Sequence, residues 1–432
     1  MKKIIAYLFI FLLSSGNVFA QTILQALKEA YNNNVELNAE RENLIVSEQD
    51  LKISKSEYLP SATITSSKSQ ENTKKLTNQS GGDATINDVD PLTTAIKIEQ
   101  TLIDLGRSAD YQKKKIGINL AREKLIKKEQ DILYKAIEAY SGLVVAKEKE
   151  EINRKNVELK ISQLENERIR LERGEIKLSD FAQSESSLAG AEAQYIQSQN
   201  EVITSKLNYE NVIGKINNEN NLQKSIQSIV NIPLSLENAI ELSKQNNHDV
   251  KIAQLELQQA EKDITIAKSD LTPTASLSLE RSYTEDLSTT YDEREKDVLK
   301  ATVSWPFYSG GKKYATIDKN QSIKVRQRFL LDNAVKNNLT GVTSAWANLQ
   351  SSESFLNSVR AQVKAAEIAN EGITAEYLSG AGSRSTLDVI QSNSLLLNAQ
   401  ISLANSERNY LLAQYNLLKS VGLLTSSYLN LQ

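Results

Sequence analysis

The 432-residue chain has no cysteine and one histidine, His248, which excludes thiol chemistry, disulfides, histidine-based catalytic triads and multi-histidine zinc sites. Its formal net charge is −3, which argues against nucleic acid as a partner. Five prolines and sixteen glycines are few for this length and suit long unbroken helices.

Residues 1–20, MKKIIAYLFIFLLSSGNVFA, combine a basic start (Lys2, Lys3), an apolar stretch from Ile4 to Leu13 and small residues at the end. That order reads as a secretory signal peptide cleaved after Ala20, too short for a membrane anchor. Its loss takes the net charge to −5. Gln21 follows the cut, so no cysteine is available there for a lipid. No later apolar run approaches the ~20 residues of a spanning helix, so any membrane crossing must be made by strands.

From Thr22 to Tyr58 the pattern is helical, with a weak point at Asn32, Asn33 and Asn34 and a stop before Pro60. Period two then sets in at residues 61–70, SATITSSKSQ, and returns after a polar loop (71–91) at residues 92–103, where Leu92, Thr94, Ile96 and Ile98 alternate with Thr93, Ala95, Lys97 and Glu99. These two strands match the ~9 to 11 residues of a membrane-crossing strand with one wet face. DLGR (Asp104 to Arg107) turns the chain into a helix of about 66 residues, roughly 100 Å long. On it Ile126, Gln130, Leu133, Ile137, Tyr140 and Val144 step by four and three, the spacing of a coiled coil. A turn at Gly174 reverses the chain, and a helix runs back from Leu178 to Gly214.

After an asparagine-rich link at residues 215–234 the design restarts. Thr22 to Pro60 matches the stretch ending at Pro273 at a constant offset of 213, with Ala26 opposite Ala239 and Asp50 opposite Asp263. Strands are expected at 274–283 and 298–307, the second ending in Trp305 and Phe307, which suit either an interfacial aromatic anchor or packing on a neighbouring strand. A second long helix opens after SGGKK, and Val335, Leu339, Val342, Trp346 and Leu349 continue the four-three step. The last helix carries two adjacent heptad stripes: Leu396, Leu403, Tyr410 and Leu417, then Leu397, Ala404, Leu411 and Leu418. Such a helix requires neighbours on two sides. At an offset of 208, Leu188, Tyr195, Val202, Tyr209, Gly174, Asp180 and Gln183 repeat Leu396, Leu403, Tyr410, Leu417, Gly382, Asp388 and Gln391. The expected organisation is therefore a leader (1–20), a first repeat (21–214), the link (215–234) and a second repeat (235–432). The fold class is mixed and mainly α, with long coiled-coil hairpins and four strands per chain. Four strands cannot close a barrel, and open edges are not tolerated in lipid.

The paired strands bounded by proline on one side and IDLGR or YSGGK on the other, the duplication, and the phrases EGITAEY, LDVIQ, LLLNAQ and YNLLKSVGLL together resemble the TolC family of outer-membrane efflux and secretion channels. The resemblance spans the whole mature chain. It implies a homotrimer in the Gram-negative outer membrane, with a twelve-strand barrel continued by a helical tunnel through the periplasm. It also implies a periplasmic adaptor and an inner-membrane transporter as partners, no cofactor, and a passive duct for drug efflux or type I secretion rather than an enzyme.

Carried over residue by residue, the resemblance places a pore constriction at Asp388 and Gln391, a basic gating residue at Arg384 and a first-repeat counterpart at Asp180. Adaptor docking falls to the turns at Gly174 and Glu175 and at Gly380, Gly382 and Ser383. The second turn departs from the family, since Ala381 and Gly382 follow the expected Tyr377 to Gly380 as two extra residues. Asp388 also suits an ordinary helix-start acid, favoured by the helix dipole. A soluble periplasmic coiled-coil scaffold explains the heptads but not the strands. His248, in the polar run KQNNHDVK, reads as a solvated helix-face residue.

Overall fold

The computed structural model describes residues 22–72, 88–216, 222–226, 228, 230–287, 291–379 and 384–431. The expected leader lies outside them. Both halves follow one plan, to which the first adds a short strand pair: α1 (Ile23–Asn33), α2 (Val35–Ser56), β1 (Ser61–Lys68), the pair β2 and β3 (Glu71–Asn72, Asp88–Val89), β4 (Leu92–Ile103), α3 (Leu105–Glu172) and α4 (Leu178–Val212). The second half runs α5 (Leu236–Asn246), α6 (His248–Ser269), β5 (Thr274–Glu285), β6 (Glu293–Ser304), α7 (Lys312–Ser379) and α8 (Thr386–Val421). Both long helices have 68 residues, and both short ones are broken into 11 and 22. The break in the first is Asn34, whose backbone leaves the helical region and whose side chain accepts the amide of Leu37 at 3.2 Å. The asparagines thus end one helix and start the next, where a single helix was expected.

The chain forms two compact units, one of Met1–Asn38, Lys128–Asn246 and Leu339–Gln432, the other of Ala39–Lys127 and Asn247–Asn338. In the first, both stripes of α8 are occupied. Leu417 packs with Val342, Ala345 and Leu349 of α7, and Leu403 lies against Val363 and Ala366 further along it. Leu411 and Leu418, one position on, join a core built from Ile23 and Leu27 of α1, Leu133, Ile137 and Tyr140 of α3, and Tyr209 of α4. The link, where described, is fixed to this unit. The Tyr140 hydroxyl donates to Gln223 O at 2.8 Å, Gln414 holds Ile226 O and the Ser228 amide, and Lys224 sits between Glu148 and Glu407. Burial pushes the Tyr140 phenol up to about 12, so it stays a donor at physiological pH.

In the second unit the helical packing is built on small residues: Ala109, Ala121, Ala260 and Ala267 are buried. Gly106 at the start of α3 suits this closeness, because a Cβ there would force Ser269 Oγ to move. Charge sets the register. Asp249, Glu256 and Asp263, seven residues apart on α6, meet Lys127, Lys124 and Lys113 of α3. Partly exposed pairs of this kind are each worth ~1 kcal/mol or less, so their regular spacing defines alignment more than it supplies stability. His248 departs from the expected solvated position. It is the first residue of α6, buried, with Nδ1 2.6 Å from Glu123 Oε2, because the helix starts directly against α3.

The sheet is antiparallel throughout, in the order β1-β4-β5-β6, so the second strand of the first half pairs with the first strand of the second half. β1 ends at Lys68, and its hairpin is extended by the β2–β3 pair. The last strand is displaced from the expected 298–307: it begins at Glu293 and ends at Ser304. Pro306 has no N–H to continue the ladder, and the Trp305 indole donates instead to Leu271 O at 3.1 Å. At the other end, residues read as a charged loop belong to the strand.

Leu411→Ala removes a fully buried side chain from the point where α1, α3, α4 and α8 meet. It should cost about 2 to 5 kcal/mol, whereas Ile203→Ala on an exposed face of α4 should cost little. Denaturant unfolding in detergent, followed by circular dichroism, measures both.

Candidate functional site

The register divides the sheet into two faces. Opposite one another on the first lie Ala62, Ile98, Leu279 and Leu299, with Leu277 and Ala301 in the next row toward the helices and Ile64 and Ile96 one row nearer the loops. On the second face Thr63, Lys97, Glu280 and Val298 form one row, and Ser61, Glu99, Ser278 and Lys300 the next. A soluble sheet buries its apolar face, but here the pattern is inverted. Ile64, Leu299 and Val303 are 70% or more exposed, while Ala95, Ser282 and Thr284 on the polar face are buried. The sheet therefore curls around its polar side and presents its apolar side outward, the arrangement of a barrel wall in lipid. Past the end of β6, Trp305, Phe307, Tyr308 and Tyr314 are all exposed, an aromatic group of the kind that marks a membrane interface. Among the described residues no helix is long and apolar enough to cross a membrane.

The helical turns lie in the other unit. α3 ends in a Schellman motif: Gly174, at φ +74°, donates to Leu171 O, and Glu175 donates to Arg170 O, both at 2.9 Å. A side chain at Gly174 would be strained by this positive φ. Glu175 turns back onto Arg170 at 3.3 Å, and the Arg170 guanidinium stacks 4.6 Å from the ring centroid of Tyr377. The Tyr377 hydroxyl meets Thr386 Oγ1 at 2.9 Å, so one chain of contacts ties the end of α3 to the end of α7 and the start of α8. Arg384 bonds Glu376 at 2.7 Å. Gly380, Gly382 and Ser383 lie outside the described residues.

Asp388 is the acid of a capping box. Its carboxylate accepts the Ser385 amide at 2.8 Å and the Ser385 hydroxyl at 2.9 Å, while the Asp388 amide donates back to Ser385 Oγ. The backbone hydrogen bond from Ser385, then that of its hydroxyl, and finally the Arg384 charge hold this carboxyl below its usual range. Asp180 occupies the equivalent place on α4, accepting the Lys177 amide at 3.2 Å. Gln391 is exposed one turn beyond Asp388. Sequence reasoning thus placed both aspartates at helix starts and missed the ring stack of Arg170 on Tyr377.

It also missed Glu167. This residue of α3 is buried, accepts the Ser184 hydroxyl of α4, and has its carboxyl raised by burial. Lys160, buried one step further along α3, is shifted down for the same reason. The two charges, seven residues apart on one face, were the available sequence signal.

Geometry of this kind defines a class: a chain that combines long paired helical hairpins with a sheet whose apolar face is exposed. The family model described as outer membrane efflux protein matches residues 26–215 and 239–423, and the chain belongs to that family. It is accordingly an outer-membrane channel protein of a Gram-negative bacterium that extends into the periplasm. It is 25% identical over 422 residues to the outer membrane efflux protein BepC of Brucella suis biovar 1, covering 97% of this chain and 89% of that protein. To the alkaline protease secretion protein AprF of Pseudomonas aeruginosa it is 23% identical over 353 residues, 80% of this chain and 72% of that one. Its fold is similar to that of the Campylobacter jejuni CmeC outer membrane channel, with a TM-score of 0.82 at 15% identity over 93% of this chain and 86% of that one.

A raised carboxyl pKa in the folded state means that the fold binds the Glu167 proton more tightly than the unfolded chain does. Its contribution then falls as pH rises from the ordinary carboxylate value through the folded one. Glu167→Gln, which can still accept from Ser184, should slow local opening of the α3–α4 hairpin at neutral pH and flatten its pH dependence. Amide hydrogen exchange around residues 160–185 between acid and neutral pH reads both.

Proposed function

We propose that three copies of this chain form a passive exit duct. The observation that carries the reading is the inverted sheet with its two free edges, β1 and β6. Unpaired strand edges are not sustained in hydrocarbon, so the β6 edge of one copy must pair with the β1 edge of the next until the sheet closes. Two copies make eight strands, a number whose interior is filled by its own side chains, whereas three make twelve and leave a bore. The apolar face then meets lipid and the polar face lines the passage.

The helical hairpins continue the passage through the periplasm. The turns at Gly174 and Glu175 and at Gly380, Gly382 and Ser383 form the rim that meets a periplasmic adaptor, itself joined to an inner-membrane transporter. The relatives named for efflux and for protease secretion support partners of this kind, with the transporter selecting the substrate. Residues 1–20 direct export.

At the rim, Asp388 forms a ring of three carboxylates at the constriction. Its capping role supports this, since the box fixes the carboxylate on the first turn of α8 and hydrogen bonding keeps it ionised. Arg384 and Tyr377 brace the turn, Gln391 lines the next level without charge, and Asp180 contributes less from α4.

Two measurements test the reading. An arginine in the lipid-facing band should cost about 2 to 4 kcal/mol, so Ile98→Arg should lose heat-sensitive trimers on gels while Lys97→Arg keeps them. Equal assembly of the two variants would reject the assignment of faces. In planar bilayers, multivalent cations added from the helical side should block conductance, and Asp388→Ala should abolish that block while Asp180→Ala leaves most of it. Persistence of the block in Asp388→Ala would move the constriction elsewhere.

A further inference from the structure

Charge in the sheet is sorted by face. β6 opens Glu293-Arg294-Glu295-Lys296-Asp297, and the period of two sends Glu293, Glu295 and Asp297 to the apolar face and Arg294 and Lys296 to the polar one. Counted over all four strands of the main sheet, the polar face holds four basic side chains, Lys97, Arg294, Lys296 and Lys300, against two acidic ones, Glu99 and Glu280. The apolar face is the reverse, with four acids near the loops against Lys68 and Arg281. Arg281 lies 3.3 Å from Glu295 on that face.

Both acids of the polar face stand beside Lys97. Lys97 lies 2.6 Å from Glu99 and directly across the ladder from Glu280. The other three bases have no acid opposite: Arg294 faces Thr284, Lys296 faces Ser282 and Lys300 faces Ser278. Arg294 and Lys296 stand next to the β5–β6 loop, at the end of the sheet away from the strand-to-helix connections. Ser282 and Thr284, across from them, are buried, so these bases rise from the concave side of the curl.

We propose that Arg294 and Lys296 form an anion-attracting collar at the loop end of the passage, with Lys300 further along the same wall, so that this end of the duct favours solutes of negative charge. The proposal rests on the reading of the polar face as the passage wall. Like charges repeated around a narrow bore with low-dielectric walls produce a potential of several kT, which raises the local concentration of the opposite ion. The acids of the apolar face do not cancel it, because the thickness of the sheet separates them from the bore.

The test is the reversal potential of single channels under a KCl gradient, in an Asp388→Ala background that removes the acidic ring proposed at the constriction. Chloride should permeate better than potassium. Neutralising Arg294→Gln together with Lys296→Gln should lower the chloride-to-potassium permeability ratio by about twofold or more, whereas Glu295→Gln with Asp297→Asn on the opposite face should leave it unchanged.

Chemical modification after assembly avoids any effect on folding. The chain has no cysteine, so Lys296→Cys offers one thiol. An anionic thiosulfonate should lower the ratio and a cationic one restore it. Conducting channels whose ratio ignores the polar-face changes, or follows the apolar-face pair equally, overturn the collar but not the duct. Absence of conductance in the unaltered protein overturns both.

Discussion

The helical part of this protein depends on one helix having two apolar stripes. α8 cannot bury Leu417 and Leu411 against the same neighbour, because one position along a helix rotates the side chain by about 100°. It is therefore held between α7 on one side and the α1, α3 and α4 cluster on the other. The link between the halves is fixed to the same helix through Gln414 and Glu407, and the chain end through Leu424 and Leu429, which join the α1, α3, α4 and α8 core. The second unit solves its packing differently, with alanines for closeness and heptad-spaced charge pairs for alignment.

How much of this was legible in the sequence varies with the strength of the local pattern. The long helices, the duplication and the four strands announce themselves through period and offset, which involve only residues near one another or matched at a fixed distance. The break at Asn34 was visible as a weak point, although its consequence, two capped helices, required the side chain of Asn34 to find the Leu37 amide. The start of β6 was misread because Glu, Arg, Lys and Asp in series look like a solvated loop. The strict alternation of sign was the strand signal. His248 looked exposed because its flanking residues are polar, yet a helix start pressed against α3 buries it beside Glu123.

The proposed functional residues were legible in position and not in bonding. A sequence places Asp180 and Asp388 at helix starts and opposite one another in the repeat. It does not show that Ser385 holds Asp388 through both its amide and its hydroxyl, nor that Arg170, in the last turn of α3, lies over Tyr377 from the other repeat. Contacts between repeats depend on how the helices are laid side by side, and no local period encodes that.

The pairing of β4 with β5 has a consequence for how the protein comes to be made. Ile98 and Leu279 are neighbours across the ladder but about 180 residues apart along the chain. A chain delivered from its N-terminus presents β1 and β4 as a lone hairpin, with a polar and an apolar face and no second neighbour, until nearly two thirds of it has emerged. Contacts of such separation form late, since loop closure must precede any gain from them. The sheet thus closes only after β5 has emerged, and until then the apolar band of the early hairpin lacks its neighbour.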